Sequence, residues 1–188
     1  GMAPGASGRT AGAIIATTMD RRSGGYLLWN LQRHNGIWSR SRLDAPIGGL
    51  IRFIGYDGRT SSAIVTYQDF VTAPSAIAIP LNRGAGHGMP VDRATRSRYL
   101  VEHHTVRSDD GTLIPYFLVR NSSYHGCRPT LMRVHGSGSN AMIPTYDAVL
   151  RTLWLDRGGS YVLAQVRGGM EFGRGLPWHV VGVDRERT

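Results

Sequence analysis

Apolar and polar positions in the first half of this chain change over in short runs, and no long helical repeat emerges. Ala13 to Thr18, Tyr26 to Gln32, Leu50 to Tyr56, Ser62 to Tyr67 and Ala76 to Leu81 carry the apolar and β-branched residues. Between them stand RRSGG, RHNG, DAPIGG, YDGR and TAPS, each with Gly, Pro, Asn or Asp to turn the chain. The pattern predicts short strands, with a tight hairpin at YDGR because Asp-Gly tolerates positive φ. Such a span amounts to one propeller blade, a repeat of roughly 40–45 residues. One blade alone exposes its faces and needs neighbours.

The glycines and Pro90 of LNRGAGHGMPVD, Leu81 to Asp92, mark a boundary. Beyond it the pattern changes character. Leu100 to Val106 and Leu113 to Arg120 read as a strand pair around SDDG, and RPTLMRVHGSGSN as a strand running into a glycine-serine loop. In Pro144 to Asp156 the residues Tyr146, Val149, Leu150, Leu153 and Trp154 have helical spacing, closed by Gly158-Gly159. Tyr161 to Val166 is a further buried strand. Strand, loop, helix, strand is the grammar of a βαβ unit.

Composition narrows the function classes. With 188 residues, 41% hydrophobic and 19% charged, the chain is that of a globular protein and not of a disordered tail. The net charge of +9 comes from 22 basic residues that are all arginine, scattered from Arg9 to Arg187. Specific nucleic-acid binding needs arginines clustered or interleaved with stacking aromatics, so it is not expected. A lone cysteine, Cys127, rules out an internal disulfide. No run approaches the ~18 apolar residues of a membrane span. The apolar patch Gly12 to Ala16 is too short for a signal-peptide core, which makes a cytoplasmic location the expectation and a membrane partner unexpected.

Several motifs occur in one order over residues 100 to 182. Ser108, Asp110, Gly111, Thr112 and Pro115 fit S-x-D-G-T-x-[IV]-P, followed by Pro129-Thr130-Leu131 and then Pro144 and Tyr146. Trp154, Leu155, Gly158 and Gly159 fit W-L-x-x-G-G, and Arg167, Gly168, Gly169, Glu171, Phe172 and Gly173 fit R-G-G-x-E-[FY]-G. Trp178, His179 and Gly182 fit W-H-x-x-G. Together they resemble the prolyl oligopeptidase family of serine peptidases, and IVTYQDFVTAPSAIAIPL resembles the last propeller strands before that family's hydrolase domain.

The resemblance implies a mixed fold, with β-propeller blade strands followed by the incomplete start of an α/β-hydrolase sheet. Its divisions would be the end of the propeller at 1–85, a linker at 86–99 and the start of the peptidase domain at 100–188. It implies a Ser-Asp-His triad and a peptide substrate. In the family all three triad residues lie downstream of W-H-x-x-G, so a chain ending at Thr188 is expected to be inactive alone.

His135 and Gly136 are the candidates for the oxyanion loop. His135 aligns with the family's oxyanion tyrosine, and other α/β-hydrolases bind the oxyanion through the backbone N–H groups of an H-G-G loop. A histidine packed against the sheet is the competing reading. Arg167, Gly168, Gly169, Glu171, Trp178 and His179 are expected to be structural, with Arg167 and Glu171 as a local ion pair and Asp109-Asp110-Gly111 as a turn. Ser160 begins a strand instead of following one, so it is not expected to be a nucleophile. Ser137 and Ser139 have no evident base and read as loop residues. His103 and His104 are adjacent and would point to opposite faces of a strand, which offers no metal site. No metal or cofactor is expected. An esterase of the same fold, suggested by HGSG, and a non-catalytic binding protein using the basic surface are the alternatives. An open sheet edge beside Tyr161 to Val166 would favour self-association.

Overall fold

The computed structural model describes residues 2–3, 13–20, 23–81, 93–135, 141–169 and 171. They fall into two compact units, one within 1–69 and 73–91, the other within 70–72 and 92–188.

In the first unit, β1 (Met2–Ala3), β2 (Ala13–Met19), β3 (Tyr26–His34) and β4 (Ile37–Arg42) form an antiparallel sheet in that order. β5 (Leu50–Asp57), β6 (Ser62–Gln68) and β7 (Ser75–Pro80) form a second antiparallel sheet. The period-2 pattern is what joins them. Ala63, Val65 and Tyr67 on β6 are buried at alternate positions, with Ile79 and Ile77 opposite Ala63 and Val65 on β7. Ile15 and Leu28 from the first sheet enter the same core.

One expectation is corrected here. The span holds two sheets where one blade was expected, because β4 escapes the pattern. All six of its residues are exposed, so nothing in IWSRSR alternates towards a core. Backbone pairing with β3 holds it, along with cross-strand stacking of the Arg40 guanidinium over Trp29 at 5.1 Å and of Arg33 over Trp38 at 6.0 Å. The hairpin expected at YDGR joins β5 to β6, with Asp57 paired to Ser62, and a tighter one falls at Asn35-Gly36. His34 pairs with Ile37 across a two-residue loop, with φ of 49° at Asn35 and 83° at Gly36. After Asp57 the loop is longer and its positive φ, 50°, lies on Ser61. The Asp57 carboxylate holds that loop, accepting from the Arg59 N–H at 2.9 Å and the Thr60 hydroxyl at 2.7 Å.

A short helix, α1 (Arg93–Ser97), precedes the sheet of the second unit. β8 (Tyr99–Arg107), β9 (Leu113–Asn121), β10 (Thr130–Arg133) and β11 (Ser160–Ala164) follow, in the spatial order β10-β11-β9-β8. β11 runs parallel to β10 and antiparallel to β9. Every residue of β11 is buried, so the strand expected to carry an open edge is interior, and β10 and β8 lie outermost among the described strands. The reason is the long connection from β10, which returns the chain to the inner side of that strand. Phe117, Val119, Tyr161, Leu163 and Leu155 form the core, and Phe70 packs edge-on against Phe117 at 5.2 Å.

The helix predicted over Pro144 to Asp156 starts later. Residues 141–147 are irregular, and Asp147 Oδ1 accepts from the N–H groups of Val149 and Leu150 at 2.9 and 3.0 Å. That carboxylate is the helix cap, so the preceding residues are released from the helix. The helix widens to an i to i+5 pattern over Leu150–Trp154 and tightens over Leu155–Arg157. Gly158 ends it at φ 89°. The Trp154 indole lies against Gly159 and donates to the Ser160 carbonyl at 2.7 Å, which makes W-L-x-x-G-G the hinge from helix to strand.

Candidate functional site

The strand directions bring three separated motifs to one end of the second sheet. β10 and β11 are parallel, so His135, just past β10, lies at the same end as Gln165 to Glu171, just past β11. Ala164 pairs with Tyr116 near the start of β9, so the turn 108–112 lies at that end too. Outside the carboxyl ends of parallel strands is where open α/β sheets hold their ligands.

The turn is built locally. Ser108 N–H donates to the Thr112 carbonyl and Gly111 N–H to the Ser108 carbonyl, both at 2.8 Å, while Thr112 N–H reaches Asp110 Oδ1 at 3.0 Å. The other carboxylate oxygen of Asp110 meets Arg167 Nη1 in an ion pair. The Thr112 N–H first, and then the Arg167 guanidinium, hold the Asp110 carboxyl down to about 2.

Arg167 and Glu171 were expected to pair with each other, and the structure gives each a distant partner. Gly168 takes φ 88°, folding the backbone back so that Glu171 faces the segment before the helix. Glu171 Oε1 accepts from the Met142 N–H at 2.8 Å, and Gln165 Nε2 donates to the Met142 carbonyl at 2.9 Å. The Met142 residue is therefore clamped at both its polar backbone groups. Gly169 fits closely against this arrangement, because a side chain there would collide with the Glu171 carboxylate and come within 2.6 Å of His135 Nε2.

His135 is buried at this end. Its Nε2 lies 3.1 Å from the Val166 carbonyl and 3.7 Å from Glu171 Oε1. A carbonyl only accepts, so Nε2 carries the hydrogen. The side chain thus ties the end of β10 to the end of β11. Gly136, Trp178 and His179 lie outside the described residues. His103 packs on Phe117 and His104 on Tyr116, on opposite faces of β8 and β9. Ser160 is the first residue of β11, and its N–H donates to the Pro129 carbonyl at 2.9 Å. Among the described residues no His, Cys, Asp and Glu group gathers that could hold a metal ion, and no helix is long and apolar enough to cross a membrane.

Gln165 was missed as a site residue. A glutamine inside the apolar run YVLAQV was the available signal, since a fully buried amide needs partners. Beside the clamp lies a cavity of about 610 Å³, lined by Met142, Leu150, Leu153, Trp154, Tyr161 and Leu163 among others. Burial pushes the Tyr161 phenol up at its wall, and Arg133 opposes that shift.

No family model matches this sequence. Over 159 residues, 81% of the chain, it is 30% identical to an uncharacterized peptidase of Sinorhizobium fredii. Over 77 residues, 40% of the chain, it is 36% identical to prolyl oligopeptidase A of Galerina marginata. The chain spans 21% of the length of the first relative and 10% of the second. A solved structure of a post-proline cleaving enzyme from Rickettsia typhi superimposes with a TM-score of 0.68 at 24% identity, covering 93% of this chain and 27% of that one. The motifs that meet around Met142 lie in a fold that these peptidases share, and the chain belongs to the prolyl oligopeptidase family of peptidases.

Proposed function

We propose that this chain is part of a serine peptidase that hydrolyses peptides after proline. In this reading the first unit supplies sheets that end a β-propeller, and β8 to β11 begin an α/β-hydrolase sheet, with the divide at 86–99. The convergence of Asp110, His135 and the Arg167 to Glu171 turn at the carboxyl ends of β10 and β11 carries the proposal. That is the end of an α/β sheet at which ligands bind.

The reading assigns this chain a positioning role. A serine attacks a peptide carbonyl only when a histidine takes its proton and an acid orients that histidine. In the proposal none of His135, Arg167 and Glu171 takes those parts. The loop opened by His135 and Gly136 supplies backbone N–H donors to the oxyanion. The His135 side chain, committed to the Val166 carbonyl, fixes where that loop begins.

The test assays the protein that carries this sequence against a peptide and an ester substrate. Turnover of a Gly-Pro p-nitroanilide peptide in clear preference to a p-nitrophenyl ester is expected. Turnover of the ester alone would indicate an esterase and overturn the proposal, as would a folded product that hydrolyses neither.

A further inference from the structure

We propose that the outer edge of β4 is a docking site for an extended acidic peptide, which adds to the sheet as a further strand and sets carboxylates at alternate positions against Arg40 and Arg42. The proposal does not rest on the peptidase reading.

Among the described strands β4 is outermost in its sheet, and all six of its residues are exposed. Its register shows which backbone groups are open. Leu43 N–H donates to the Leu28 carbonyl at 2.9 Å, and hydrogen-bonded pairs alternate along an antiparallel ladder, so Ser41, Ser39 and Ile37 bond to β3 through their backbone. The N–H and C=O groups of Trp38, Arg40 and Arg42 therefore point away from β3. A row of such groups is a template for another strand.

The same alternation puts the side chains of Trp38, Arg40 and Arg42 on one face of the hairpin, beside Arg33, Leu31 and Trp29 on β3. β2, β3 and β4 contain no aspartate or glutamate, and among the described residues no carboxylate pairs with Arg33, Arg40 or Arg42. Arg40 stacks over the Trp29 indole and Arg33 over Trp38, which presets each guanidinium while its in-plane N–H groups stay able to donate. Arg33 gives one of them to the Gly36 carbonyl, at 3.2 Å. Such a fork matches a carboxylate. An added strand presents every second side chain to this face, so the matching partner carries two acidic residues with one residue between them. A second copy of β4 fits less well, because the antiparallel register centred on Arg40 sets arginine against arginine. In strand addition the main chain supplies affinity and the alternate side chains supply specificity.

Fluorescence anisotropy of labelled Thr-Val peptides with the 188-residue chain tests this. A peptide with two glutamates separated by one valine should bind, and bind less tightly as salt rises. Its isomer with adjacent glutamates, which sends them to opposite faces, and its glutamine analogue should each bind more weakly by about five-fold or more. Methylating the peptide amides that face β4 should abolish binding. The double variant Arg40→Gln/Arg42→Gln, altered only at exposed positions, should bind the alternating peptide no better than wild type binds the glutamine analogue. The peptide comparisons use the wild-type protein, so they decide the matter even if that variant misfolds. Equal binding of the two isomers, no binding of the alternating peptide, or a thymidine oligonucleotide that binds as tightly and displaces it would overturn the proposal.

Discussion

Asp110 and Arg167, fifty-seven positions apart in sequence, form an ion pair that ties the turn before β9 to the turn after β11. The Arg167 side chain is 8% exposed and that of Asp110 31%, so the carboxylate end of the pair stays open to water. The Asp110 carboxyl is held down to about 2, whereas an unfolded aspartate titrates near ~3.9. A depressed folded value favours the folded state above the unfolded pKa, and that advantage is lost as pH falls from about 4 through about 2. Asp110→Asn should therefore unfold at lower urea than wild type at pH 6, with the gap closing steadily on acidification. A gap independent of pH would refute the ion-pair account.

Gly169 and Gly36 separate two reasons for requiring glycine. A methyl at Gly169 meets Glu171 and His135, so Gly169→Ala should cost ~1–3 kcal/mol through overpacking and loosen the Met142 clamp. Gly36 has positive φ with nothing within 4 Å of an added Cβ. Gly36→Ala should cost only the backbone term, ~1–2 kcal/mol, and leave β11 unaffected. Hydrogen exchange at the β11 amides reads the difference: faster in Gly169→Ala, unchanged in Gly36→Ala.

The short helix gives a paired comparison of burial. Leu155 is 0% exposed and belongs to the core with Phe117 and Leu163, whereas Leu153 is 52% exposed at the cavity wall. Leu155→Ala should destabilise by ~2–5 kcal/mol, and Leu153→Ala by no more than ~0.5 kcal/mol. Denaturant melts of the two variants check this. Equal losses would mean that the helix is packed differently.

These contrasts show which parts of the fold were legible in the sequence. β6 could be read because Ala63, Val65 and Tyr67 alternate towards a core. β4 could not, because backbone pairing and the Arg40–Trp29 stack hold it, and neither leaves an apolar period. The helix was placed too early because Tyr146 shares its spacing, while the capping role of Asp147 depends on how residues 141–147 are held from outside. The same limit applies to the site. R-G-G-x-E identified the residues of the turn, but their partners, Asp110 for Arg167 and Met142 for Glu171, are set by strand order. A local pair between Arg167 and Glu171 was the only contact that sequence distance suggested.

If His135, Gln165, Arg167 and Glu171 support the active centre without being its reacting groups, the nucleophile lies elsewhere. Labelling with a fluorophosphonate probe, followed by mass spectrometry of the modified peptide, locates it most directly. The 188-residue chain should carry no adduct on Ser137, Ser139 or Ser160. An adduct on any of the three would contradict this account.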